Sequence, residues 1–229
     1  MRNNILSQEE FDKIMKDHEL WLDTHGVKGR RAELREYDLR SLNVQGVNFY
    51  KARLRAVIMS GLDLRGCILS NADFESSILE NADLSGADLS GADLTMVNLC
   101  GADLSHAKLS NTTILTSALC ICTNLTGVDL SDMDLRLVTF ATPDKDYDCF
   151  NFKNTSLSYA CLDRSNLEGC CLYKVNMSHS SLLHTNMNNT DLSYANLERV
   201  VRRSTPLYGV KLTGAIFDKR KFNVIRCRD

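Results

Sequence analysis

The chain has 229 residues, 44% of them hydrophobic and 24% charged, and a formal net charge of −2. That length is enough for one substantial core, and the near balance of charge gives no nucleic-acid or membrane signal from the total. No segment approaches the roughly 20 consecutive apolar residues of a membrane span, so a cytoplasmic protein is expected, with its nine cysteines as reduced thiols.

Residues 6–26 read as one helix. Ser7 and Glu10 form an S-x-x-E capping box, Leu6 is placed to staple onto Phe11, and Gly26 offers a stop. Phe11, Ile14, Met15, Trp21 and Leu22 fall on one apolar stripe. Phe11, Ile14, Trp21 and Leu22 are therefore the contacts through which residues 1–36 would cover the start of whatever follows.

From Tyr37 onward the apolar period changes to five. A leucine or similar residue, the centre of each unit, recurs from Leu39 through Val44, Phe49, Leu54 and Met59 to Leu119. A one-residue slip is expected near 120–123, after which Leu125, Leu130, Leu135 and Phe140 continue. The stretch at 141–149, "ATPDKDYDC", reads as a loop insertion; centres resume at Phe152 and run to Cys227, about 37 units in all.

Five residues advance a helix by about 500°, so successive centres would lie about 140° apart, and in a flat strand they would alternate between faces. Neither buries them together. A single buried row needs a right-angled bend in every unit, with the centre and the residue two before it pointing inward. Glycine placement agrees: every glycine after residue 30 lies two positions past a centre, where a turn favours positive φ. Small residues such as Ala72, Ala82, Ala87, Ala92 and Ala102 hold the second inward position. Four bends close a coil of about 20 residues, so residues one coil apart stack at ~4.8 Å, and about nine coils make a rod roughly 44 Å long.

The A-(D/N)-L-x-x pattern with corner glycines, clearest in "ADLSGADLSGADLT" at 82–95, resembles the pentapeptide-repeat family. The resemblance covers about residues 37–227 and implies an all-β solenoid, a right-handed quadrilateral β-helix over residues 37–229, for which the helix read in residues 1–36 would be an N-terminal capping α-helix. Arg202 occupies a centre, and burying a guanidinium among leucines is costly; a local register break is expected there, with Val200 or Val201 covering the core. No helix follows the last coil, which leaves an open edge and suggests a homodimer through it.

Charge is unevenly spread: 11 basic and 9 acidic residues in 1–56, 2 and 11 in 57–135, 14 and 9 in 136–229. The acidic middle approaches one net charge per ~2 Å, near the one per ~1.7 Å of duplex DNA. On a square coil Asp63, Asp83 and Asp103 share one face, Asp73, Asp93 and Asp134 the opposite face, and Asp88 and Asp129 lie between. Aspartate before a leucine is also what such a repeat uses for solubility and local turn bonds. The basic end gathers Arg199, Arg202, Arg203, Lys211, Lys219, Arg220 and Lys221, suited either to an acidic partner or to guarding the sheet edge.

Histidines 18, 25, 106, 179 and 184 show neither metal-ligand nor triad spacing, and there is no Walker loop, G-x-S-x-G or dinucleotide fingerprint. No cofactor and no metal are expected. Cys100 and Cys120, one coil apart, are expected to stack as outward thiols within disulfide range. A small hydrolase or metal enzyme would need a cleft that a filled tube does not offer, so the chain is read as non-catalytic: an interaction scaffold with an unknown protein partner. The family resemblance adds an alternative, a DNA-mimicking binder of DNA gyrase or topoisomerase IV that modulates the enzyme or protects it from quinolones or a toxin.

Overall fold

The computed structural model describes residues 4–141 and 152–218. Its elements are β1 (Asn4–Ile5), α1 (Gln8–Asp23) and β2 (Tyr37–Asp38), followed by a long series of isolated parallel bridges.

Helix α1 is shorter than the expected 6–26 but starts as the capping box dictates. The Glu10 N–H donates to Ser7 Oγ at 3.2 Å and the Ser7 N–H to Glu10 Oε2 at 2.9 Å. Thr24, not Gly26, ends it, with its hydroxyl on the Leu20 carbonyl. Phe11 and Met15 are buried with Leu34, Leu39 and Phe49 in the continuous core, Ile14 packs beside them, and the Phe11 and Phe49 rings lie 6.2 Å apart. Gln8 reaches the first coil through both ends of its amide, accepting the Asn43 N–H at 2.8 Å and donating to the Asn43 carbonyl at 3.2 Å. Trp21 and Leu22 stop short of the core. The segment after the helix folds back along it, with the Arg30 N–H on the Asp17 carbonyl, and Trp21 stacks on His18 instead. The fold-back depends on Gly29, at φ +71°, where a Cβ would overlap the backbone of Asp17 and Trp21.

From Glu33 onward the bridges link residues one coil apart, Glu33 to Arg53, Asp38 to Ile58, and so on around the coil. Each side of a coil is therefore very short. Its centre N–H donates to the next coil (Leu54 to Asp73, 2.7 Å), the outward residue donates back (Asp73 to Ala52, 3.0 Å), and the corner donates onward (Ala56 to Glu75, 2.9 Å). The chain then turns, the N–H three past the centre closing onto the centre's carbonyl (Ala52 to Phe49, 2.8 Å). Corner φ is positive whatever the residue: +70° at Gly66, +60° at Ser76, +57° at His106, +60° at Tyr194. Ahead of the coils, β1 pairs parallel with β2, Asn4 opposite Tyr37 and Ile5 opposite Asp38, an addition the sequence pattern does not signal.

The slip lies earlier than expected. Asp88 pairs with Lys108 at the regular spacing, Asp93 pairs with Ile114 at one residue more, and Leu119 pairs with Thr139 at the regular spacing again, so the extra residue falls between Lys108 and Ile114. Leu115 and Cys120 are the buried centres, while Ile114 and Leu119 face outward. Hydroxyls explain the choice: the Gly91 N–H donates to Ser110 Oγ and Thr113 Oγ, each at 3.1 Å, in place of a ladder carbonyl, and Thr113 Oγ donates to the Leu89 carbonyl.

That last bond recurs. Inward Ser77, Thr123, Thr185, Thr190 and Thr205 each donate to the carbonyl of a centre in the preceding coil, so a buried hydroxyl costs little. No register break occurs at Arg202. Bridges Ser181–Val201 and Asp191–Lys211 keep the regular spacing; Arg202 stays at the centre position, half-buried, while Val200 packs on the core and Val201 faces solvent. Burial lowers the Arg202 pKa. Of the 141–149 insertion only Ala141, buried, is among the described residues.

Two substitutions test this packing. Gly29→Ala should destabilise the protein by about 2 kcal/mol or more, seen in urea titrations followed by the fluorescence of Trp21, the single tryptophan. Ala87→Leu, placing a large side chain at a narrow inward position, should cost about 1–3 kcal/mol and be read as a drop in thermal midpoint.

Candidate interaction surface

The bridges sort the outward side chains into four columns. Face 1 carries Glu33, Arg53, Asp73, Asp93 and Ile114, and further on Asp134, Cys161, Ser181 and Val201. Face 2 carries Ile5, Asp38, Ile58, Ile78, Asn98, Leu119, Thr139, Asn166 and Asn186. Face 3 carries Asp63, Asp83, Asp103 and Asn124, and later Cys171, Asp191 and Lys211. Face 4 carries Asn48, Ile68, Asp88 and Lys108, and later Asp129, Ser156, Asn176, Asn196 and Ile216. The eight candidate aspartates thus fall on three faces, with Asp63, Asp83 and Asp103 in direct register and Ile114 between Asp93 and Asp134.

All eight do the same local job. Each accepts, through Oδ1, the N–H two residues ahead at 2.8–3.3 Å: Arg65 on Asp63, Glu75 on Asp73, Ser85 on Asp83, Ser90 on Asp88, Thr95 on Asp93, Ser105 on Asp103, Ser131 on Asp129 and Arg136 on Asp134. Several are also neutralised by neighbours. Arg65 binds Asp63 at 2.8 Å and Asp83 at 3.2 Å, and Arg136 binds Asp134 at 2.5 Å. The Arg65 hydrogen bonds hold the Asp63 carboxyl at a pKa of about 2.

Asp73, Glu75 and Asp93 bring carboxylate oxygens within 4.8 Å of one another, yet their cation is already present: Arg55 lies 3.8 Å from Asp73 and pairs with Glu75. Burial raises the Asp73 pKa, Arg55 pulls it down and Asp93 pushes it up again.

Of the basic residues, Arg199, Arg203 and Lys211 are exposed, and Lys211 pairs with Asp191 at 3.8 Å; Lys219, Arg220 and Lys221 lie outside the described residues. His179 stacks on Tyr159 at 4.5 Å. The expected outward pair of thiols does not form. Cys100 is half-buried, but the earlier slip turns Cys120 inward as a centre, where burial pushes its thiol pKa up to about 12. Cys122, at the next corner, is disulfide-bonded, so reduced thiols do not hold for every cysteine.

The apolar pattern does not single out His18. It lies on the same helical stripe as Phe11 and Met15, is fully buried, and accepts the Ala32 N–H at Nδ1, 3.2 Å away. That bond requires a neutral ring, and burial holds its pKa below the usual 6.5.

These features define a class: a parallel β-solenoid with a filled interior and ordered outer columns, a surface for binding. The chain belongs to the pentapeptide-repeat family, whose model (Pentapeptide repeats, 8 copies) matches residues 32–71, 67–105 and 170–200. A pentapeptide repeat protein of the Arabidopsis thaliana thylakoid lumen is 30% identical over 53% of this chain and 69% of its own, with a TM-score of 0.25. HetL, a pentapeptide repeat protein involved in heterocyst differentiation regulation from the cyanobacterium Nostoc sp. strain PCC 7120, is 26% identical over 92% of both chains, with a TM-score of 0.47. QnrB1, a plasmid-mediated fluoroquinolone resistance protein, is 18% identical over 83% of this chain and 93% of its own, with a TM-score of 0.39. No curated protein matches. Members of the family are characteristically non-catalytic interaction modules, and on that ground this chain is not an enzyme. No helix among the described residues is long and apolar enough to cross a membrane.

Because folding lowers the His18 pKa, its contribution to stability is complete above pH 6.5 and is lost as pH falls from there through the folded value. Urea midpoints should therefore fall between pH 7 and pH 5, and this component should vanish in His18→Gln; an unchanged slope in that variant would assign the pH dependence elsewhere.

Proposed function

We propose that the chain is a rigid, cytoplasmic interaction scaffold: a right-handed rod of about nine coils whose first coil is capped by α1. The observation that carries this is the fixed register of the outward columns, which holds side chains in order along the rod without the ordering cost of a flexible backbone. The partner is a protein, and pull-down from a host lysate is the direct test: recovery of no specific protein would count against the scaffold. A homodimer through the last coil would cover Val201, Tyr208 and Ile216, all exposed.

One observation favours a second reading, DNA mimicry toward gyrase or topoisomerase IV, with protection from quinolones or a toxin as its outcome. Asp63, Asp83 and Asp103 stand on three successive coils, a regular file of negative charge. Arg65 weakens that file at one end. The basic end, Arg199, Arg202, Arg203 and Lys211, would then meet an acidic region of the partner.

Asparagine keeps the Oδ1 acceptor that each turn uses, so Asp63→Asn, Asp83→Asn and Asp103→Asn together should remove charge while leaving the fold intact. Mimicry predicts salt-sensitive inhibition of supercoiling by the native protein and at least a tenfold weaker effect, about 1.4 kcal/mol, in the triple variant. Absence of any effect on supercoiling at micromolar protein would remove this reading.

A further inference from the structure

Face 2 differs from the other three. Its column runs from Ile58 to Asn186 through Ile78, Asn98, Leu119, Thr139 and Asn166 without a charged residue, and the glutamates beside it, Glu80 and Glu168, accept hydrogen bonds from the Asn98 and Asn186 amides. At mid-rod this face joins an exposed apolar patch around the corner it shares with face 1: Met96 is 59% exposed, Leu137 48%, Ile114 43% and Leu119 40%. The patch is a product of the slip, which turns Ile114 and Leu119 outward at positions where neighbouring coils carry Asp93 and Asn98. Contiguous exposed apolar surface of this kind marks an interaction site.

We infer that this patch is where a second copy of the chain docks, side by side and antiparallel. Identical copies meeting squarely on face 1 or face 3 at mid-rod would set aspartate against aspartate, which is unfavourable, and face 4 carries Asp88, Lys108 and Asp129 there; face 2 is the face whose middle carries no charge. The corner is also self-complementary. Its successive residues are Ser76, Met96, Ser117, Leu137 and Arg164, two apolar knobs on either side of a small residue. A two-fold axis at Ser117 sets Met96 against the partner's Leu137 and Leu137 against the partner's Met96. The same operation sets Arg164, exposed, against the partner's Ser76. The open cleft lined by Thr116, Arg136, Leu137, Asp163 and Arg164 then receives the partner's Met96. A contact related by such an axis is closed, ending at the dimer.

Sedimentation equilibrium on the full chain tests this, with Ile114→Asp/Leu119→Asn as the first variant. Asp and Asn are the residues the repeat itself places at these positions, so circular dichroism and the thermal midpoint should stay as in the native protein. Met96→Gln, at the exposed corner, is the second variant should the first fold poorly. The native chain should be dimeric at micromolar concentration, and either variant should raise the dissociation constant at least about tenfold. Under oxidation by dissolved oxygen, which takes up the two electrons and two protons, Ser117→Cys should form a disulfide between two copies at residue 117, identified by mass spectrometry. A native chain that stays monomeric at the highest concentration overturns the inference. So does a dimer that neither variant weakens and that Ser117→Cys fails to link, since the contact would then lie elsewhere, at the last coil included.

Discussion

The backbone of each coil is satisfied mainly by the coils before and after it, through one short set of N–H to carbonyl bonds per side, and the rest of the molecule follows from this. Because a side is only one bridge long, the chain must turn in every repeat unit, and the turn requires positive φ just past the centre. Burying that backbone without leaving groups unpaired leaves an interior just wide enough for a leucine and a small residue. Composition answers directly: leucine at the centre, alanine or a hydroxyl two before it, and an acceptor one before it to hold the turn.

Most of this is legible in the sequence, because the period of five excludes both regular helix and flat strand before any family is considered. What is not legible has physical reasons. Ile114 and Leu119 look like centres by hydropathy alone, and only the hydrogen bonds of Ser110 and Thr113 to Gly91 show why the register moves earlier and leaves them outside. Arg202 stays in register where the pattern suggests a break, and the bridges at Val201 and Lys211 keep the regular spacing on either side of it. Trp21 looks like a core anchor by spacing, but the fold-back at Gly29 assigns it to His18. Buried threonines are invisible as a device, since their carbonyl partners lie more than a full coil away in sequence.

The acidic surface changes meaning once its bonds are known. A carboxylate that caps a turn and meets an arginine is structural first, and its charge reaches solvent only in part. The aspartate columns retain order, which a binding surface can use, but the density inferred from counting charges is an upper bound. Face 2 is not singled out by counting at all, since absence of charge is recognisable as a column only when residues one coil apart are known to stack.

The slip at 110–113 carries one further consequence. A coil with one extra residue closes as well as a regular one, so the addition is absorbed within a single turn and every column beyond it keeps its face. The longer interruption after Phe140 behaves likewise, the Asp129–Ser156 bridge resuming on the same face beyond it. Such a wall tolerates insertions as punctuation: genetic changes in length at a corner leave the surface on either side addressed as before, and each stretch of the rod is free to diversify without rewriting its neighbours.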